Sequence, residues 1–149
     1  KFPMKENLIT IKTDTIKVYR WEHKIYKCGP YHCHEVNLSQ KKVKKYNLYR
    51  SHMLFYHCDS IHPTPDDYIE SLSDVVVREQ YEDAFLYKNT LFGFTTLDDM
   101  HTWFTPEEIN IMICLGFVLK KYTVNINDYY PMKGQCMFIP NSKGVIIKL

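Results

Sequence analysis

The run Thr105-Pro106-Glu107-Glu108, followed by Ile109, Ile111, Met112, Ile113, Leu115 and then Gly116, constrains this chain more than any other. A threonine before a helix accepts a backbone N–H bond that the first turn leaves unmade. Proline suits the first helical residue, and a glutamate three residues after the threonine completes a capping box. Gly116 supplies the stop, because glycine takes the left-handed conformation that ends a helix without steric cost. A helix apolar nearly all round has no face to give to water and is expected to be buried. A strand-like run, 117–124 (FVLKKYTV), follows immediately. Upstream, 90–95 (TLFGFT) reads as a strand with glycine at its centre, and Thr96 caps a short helix carrying Leu97, Met100 and Phe104 on one face. Leu91 to Val124 is therefore expected to be one continuous unit.

The flanks supply more strands. Residues 8–13 (LITIKT) and 16–22 (IKVYRWE) read as a hairpin turning at Asp14 and Thr15. In the second run Ile16, Val18 and Arg20 share one face, while Tyr19 and Trp21 share the other. Gly29-Pro30 marks a turn, and 57–67 a loop, because Pro63 and Pro65 disfavour helix and central strand. An acidic helix is expected from Asp66 or Asp67 to about Ala84, with Ile69, Leu72 and Val76 as its apolar stripe. Two last strands, 135–139 (QCMFI) and 145–149 (VIIKL), flank a turn holding Pro140, Asn141 and Gly144. Strands, then helices, then strands again predict an α+β fold with a mixed or antiparallel sheet and short helices.

Length and composition agree with one domain spanning 1–149. A chain of 149 residues buries a real core without staples, and 45% hydrophobic with 24% charged residues is an ordinary globular balance. The outlier is 15% aromatic, with 12 Tyr and 8 Phe, residues that suit a core and a recognition surface alike. A net charge of +2 is close to neutral and does not by itself point to broad nucleic-acid affinity. The five cysteines (Cys28, Cys33, Cys58, Cys114, Cys136) are odd in number and irregularly spaced, which points to a reducing compartment rather than a disulfide framework. No apolar stretch is long enough to span a membrane and no signal peptide is visible, so a cytoplasmic protein is expected. Abundant Lys, Asn, Ile and Tyr point to an AT-rich coding sequence, a virus or phage being one source.

Three main candidate sites can be drawn, two of them from residue types. Cys28, His32, Cys33, His34, His57, Cys58 and His62 are the right atoms for zinc, but they lack CxxC spacing, and a Tyr/His-rich surface loop explains them better. No metal is expected. The basic run Lys41 to Arg50, interleaved with Tyr46 and Tyr49, could track a phosphate backbone, or form a solvated helix face offset by the acidic stretch 66–83. Cys58 with His57 or His62 could be drawn as nucleophile and base, although sequence neighbours rarely form such a pair.

The third candidate is an ordered series of short motifs. Tyr19-Arg20 is followed by Gly29-Pro30-Tyr31, His62-Pro63-Thr64-Pro65, Phe92-Gly93-Phe94-Thr95-Thr96, Trp103-Phe104, Gly116-Phe117, Tyr122-Thr123-Val124 and Gln135. Over about residues 16–140 this resembles a group of small tailed-phage proteins, and the skeleton also looks like the small ADP-ribosyltransferase fold. That second resemblance implies NAD held in a cleft between two sheets, as substrate or ligand. Arg20 would hold the diphosphate, Thr95 or Thr96 would line the nicotinamide pocket, and Tyr31 or Phe94 would stack on the ring. The family's final-strand glutamate is missing. Gln135 stands at the matching place, and Asp128 is the only acid after Glu108. An amide can hydrogen-bond a ribose hydroxyl but lacks the charge that favours a developing cation.

Two functions stay open. One is a phage accessory protein that binds and inhibits a host defence protein through an ADP-ribosyltransferase-like scaffold, with nucleic acid reached through Lys41–Arg50 as a further partner. The other is an active NAD-dependent ADP-ribosyltransferase or NAD glycohydrolase modifying a host target. The missing acid tilts the balance toward the binding protein.

Overall fold

The computed structural model describes residues 14–31 and 61–149. In chain order these form β1 (Thr15–His23), α1 (Pro65–Ser71), α2 (Val75–Tyr87), β2 (Leu91–Gly93), α3 (Leu97–Trp103), α4 (Pro106–Leu115), β3 (Phe117–Asn125), a 3-10 turn (Ile126–Asp128), β4 (Tyr129–Pro131), β5 (Cys136–Phe138) and β6 (Val145–Ile147). The fold is α+β, as expected. Residues 8–13 lie outside the described residues, so the expected hairpin does too.

β1 finds its partner a hundred residues away. It pairs antiparallel with β3 along its whole length, from Thr15 opposite Asn125 to His23 opposite Phe117, and β6 adds to the far side of β3. A second antiparallel sheet has the order β2-β5-β4. The two final strands expected from sequence thus join different sheets: β5 is central in one and β6 is the edge of the other. The 3-10 turn and β4 were not anticipated. Pro131 sits on edge strand β4, where its missing N–H breaks no ladder.

The sheets meet where Tyr19 and Phe94 exchange backbone bonds, Tyr19 N–H to the Phe94 carbonyl at 2.6 Å and Phe94 N–H to the Tyr19 carbonyl at 2.8 Å. Gly93 permits this approach. A Cβ there would stand 2.5 Å from the Tyr19 carbonyl oxygen and 2.7 Å from Val18 Cγ1. From sequence, this glycine marks close approach of either a ligand or backbone; in the fold it is backbone.

Helix α4 starts as expected. Thr105 Oγ1 accepts from the Glu108 amide at 3.2 Å and Glu108 Oε1 accepts from the Thr105 amide at 2.8 Å, while Gly116 ends the helix at φ 100°. Burial is less complete than its composition implied. Ile109, Ile111, Met112 and Leu115 are buried, yet Ile113 is 52% exposed and Cys114 is exposed as well. The buried side packs with Trp21, Phe94, Met100, Trp103, Phe104, Phe117 and Leu119 in the largest apolar cluster.

The single acidic helix expected over 66–84 is two. Leu72 is extended, and Asp74 opens α2 by accepting from the Val76 and Val77 amides at 2.9 and 3.2 Å. The restart shifts the stripe, so Val76 is 65% exposed and Val77 packs inward instead. It also puts the three valines in a first turn, where no preceding turn crowds a β-branched side chain. Met137 of β5 lies fully buried between the sheet and α1–α2, with Ile69, Tyr81 and Ala84. No helix among the described residues is long and apolar enough to cross a membrane.

Candidate functional site

Alternation along β1 sets Arg20 and Glu22 on the face of Ile16 and Val18, and the register sets Lys120 and Tyr122 of β3 beside them. These four form one buried polar cluster. Arg20 Nε donates to Glu22 Oε2 at 3.1 Å, Lys120 Nζ to Glu22 Oε1 at 2.9 Å, and the Tyr122 hydroxyl to Glu22 Oε2 at 2.7 Å. Arg20 Nη1 also donates to the Phe92 carbonyl at 3.1 Å, which ties β1 to β2. Gly29 closes over the guanidinium, since a Cβ there would come within 3.1 Å of Arg20 Nη2. Arg20 is 8% exposed and Glu22 4%. Burial raises the Glu22 carboxyl, but the bonds from Tyr122 and Lys120 and the Arg20 charge outweigh it, leaving the group below the ordinary carboxylate value. Tyr122 is pushed up, first by burial and then by its bond to Glu22.

A small cleft opens on the other sheet, lined by Phe94, Thr95, Asp99, Tyr129, Met132, Gly134, Gln135 and Cys136. Its volume is about 80 Å³. The fold therefore brings together three of the residues singled out in the sequence: Phe94 and Thr95 from the end of β2, and Gln135 from the turn before β5. Tyr129 is raised by burial and by the nearby Cys136 and Asp99, and its hydroxyl shares a hydrogen bond with Thr95. Burial pushes the Cys136 thiol up to about 12, with Asp99 adding to the effect. Gly134, at φ 81°, lets the β4–β5 turn lie on the Trp103 ring, which an added Cβ would meet at 2.8 Å.

The other expected residues are placed elsewhere. Thr96 Oγ1 accepts from the Asp99 amide at 3.0 Å as the cap of α3. Tyr31 stacks on Phe104 with ring centroids 6.2 Å apart, and its hydroxyl accepts from Trp103 Nε1. Asp128 ends the 3-10 turn, where its backbone carbonyl accepts from Ile139 N–H at 2.9 Å. None of these, nor Arg20, lines the cleft.

Asp99, Tyr129, Met132 and Gly134 line the cleft without having been singled out in the sequence, and Asp99 is the charged one among them. Thr96-Leu97-Asp98-Asp99 reads as a capped first turn, and acids are common there because they favour the helix dipole. Which of the two aspartates faces the cleft depends on where the β4–β5 turn folds back, and no local pattern records that.

Of the zinc candidates, His62 donates from Nε2 to the Trp103 carbonyl at 2.6 Å, with its ring edge-on to Trp103. His32, Cys33, His34, His57 and Cys58, like Lys41–Arg50, lie outside the described residues. Among the described residues no three His, Cys, Asp or Glu side chains are grouped to hold a metal ion.

No curated protein and no solved structure matches this chain. One family model does, that of the bacteriophage T4 Y00F protein, over residues 12–148. The match takes in every described strand and helix as well as the buried Arg20–Glu22 cluster and the cleft, and the chain belongs to that phage protein family.

Proposed function

We propose that this phage protein acts in the host cytoplasm by binding and inhibiting a host protein, a defence component, rather than by chemistry on a nucleotide. The bond set of Arg20 carries the proposal. Arg20, expected to hold the diphosphate, donates to Glu22 and to the Phe92 carbonyl and is 8% exposed beneath Gly29, so a phosphate would have to enter a buried, already compensated ion cluster to reach its remaining N–H groups. The cleft adds a second argument, because Asp99 gives it the wrong sign for a diphosphate. At about 80 Å³ it also falls well short of the roughly 300–1,000 Å³ typical of small-molecule sites.

NAD chemistry is the second reading, favoured by one observation: Phe94, Thr95 and Gln135 do converge on one cleft. Binding at an ADP-ribosyltransferase-like pocket would place nicotinamide against Phe94 and Thr95, with Gln135 at the ribose. Affinity capture from a host lysate, run beside a nicotinamide-release assay with NAD, separates the two. A single stoichiometric host partner without nicotinamide release supports the binding protein. Nicotinamide release by wild type that disappears in a folded Gln135→Ala variant overturns it.

A further inference from the structure

The cleft has a chemistry that neither reading above uses. Asp99 is exposed and lines it, and its carboxylate makes no ion pair or hydrogen bond among the described residues; the ion pairs there join Arg20 and Lys120 to Glu22 and Lys88 to Asp83. Its charge is felt inside the cleft, where it contributes to holding Tyr129 and Cys136 in their neutral forms. Tyr129 and Met132 are among its lining residues, Phe94 lines it while its ring packs on Trp103 and Phe104 in the core, and Gln135 brings an amide able to accept as well as donate. A full negative charge, a tyrosine and an amide in the lining, and room for a single head group are the complement of a planar cation. A guanidinium bonds a carboxylate through two parallel N–H groups and stacks on aromatic faces, which a compact ammonium does less well.

We infer that the cleft between α3 and the β4–β5 turn is a recognition site for an arginine side chain of the partner protein, with Asp99 as its counter-charge and Gln135 as a second acceptor. This rests on the proposed binding function and names the chemistry that one part of the partner must present. A helix dipole alone would also explain an acid at Asp99, but it would explain Asp98 equally well, and Asp98 does not line the cleft. That difference makes the inference testable.

The probe is N-acetyl-arginine N-methylamide, titrated into the full chain and followed by backbone amide NMR shifts, with the neutral citrulline analogue as control. The expected result is saturable shifts centred on Asp99, Tyr129, Gly134 and Gln135. Binding should weaken by about tenfold in Asp99→Asn, as fits loss of a charge-assisted pair, and stay unchanged in Asp98→Asn. Gln135→Ala, away from the helix, should weaken it as well. Equal binding of citrulline, equal weakening by Asp98→Asn, or shifts centred elsewhere would overturn the inference. Capture of the same host partner by wild type and Asp99→Asn would sink the arginine site while leaving the binding function standing. A saturable arginine site with no host partner in the lysate would do the reverse.

Discussion

The Tyr122 hydroxyl donates a 2.7 Å hydrogen bond to Glu22, a residue one hundred positions earlier, across the pair of strands that organises the fold. The carboxylate it meets also takes Arg20 and Lys120, so one buried acid satisfies three donors drawn from two strands. Such a cluster is costly to break from any side, because each partner removed strands a buried charge or hydroxyl.

Glu22→Ala is therefore expected to lower unfolding stability by about 3–5 kcal/mol, as for the loss of one partner of a buried ion pair. Tyr122→Phe keeps the ring and removes only the donor, and should cost about 1.5–3 kcal/mol, the range for a bond to a charged group. Urea denaturation of both variants reads the difference. Equal, small effects would mean that the cluster is solvated.

The same acid gives the protein an acid-sensitive window. Because folding depresses the Glu22 carboxyl, its contribution is full above the ordinary glutamate value of 4.5 and is lost as pH falls below it toward the depressed value. Stability measured from pH 6 downward should fall below about pH 4.5 with a steepness that is reduced in Glu22→Gln. Identical profiles would remove Glu22 from the explanation.

Gly93 makes a different prediction. An added Cβ collides with the Tyr19 carbonyl, which is backbone and cannot rotate away, so Gly93→Ala must pry β2 from β1. A loss of about 3 kcal/mol is expected, at the upper end for overpacking, with Gly93→Val failing to fold. Thermal unfolding followed by circular dichroism tests it. Full stability in Gly93→Ala would show that the sheets can separate freely.

Cysteine labelling probes the cleft floor. Cys136 is buried with its thiol held near 12, whereas Cys114 is exposed on α4. Iodoacetamide at pH 8 should alkylate Cys114 readily and leave Cys136 intact until the chain unfolds, as peptide mass spectrometry will show. Fast labelling of Cys136 in folded protein would mean that the cleft opens to its floor.

Local chemistry was legible where the physics is local. The capping box at Thr105, the stop at Gly116, the Thr96 cap and the strand at 117–124 each follow from residues within a turn of one another. The break at Leu72–Asp74 was not, because Asp74 looks like one more acid in an acidic helix until it caps α2. Long-range pairing was hidden more deeply. Nothing near Arg20 shows that Lys120 and Tyr122 will share Glu22 with it, so a buried structural arginine and a ligand-holding one look alike in sequence. The cleft was half visible: the small-residue strand end at Phe94–Thr95 and Gln135 were legible, while Asp99 gained its place only from the fold-back of β4 and β5.

Arg20 is bonded within the buried cluster, and if that is its whole role its Nε–H should not respond to NAD. With ¹⁵N-labelled wild type, the Arg20 Nε–H resonance is followed as NAD is raised into the millimolar range. The signal is expected to stay in place throughout, held by Glu22. A saturable shift of that resonance would contradict it, because it would put the guanidinium on the nucleotide.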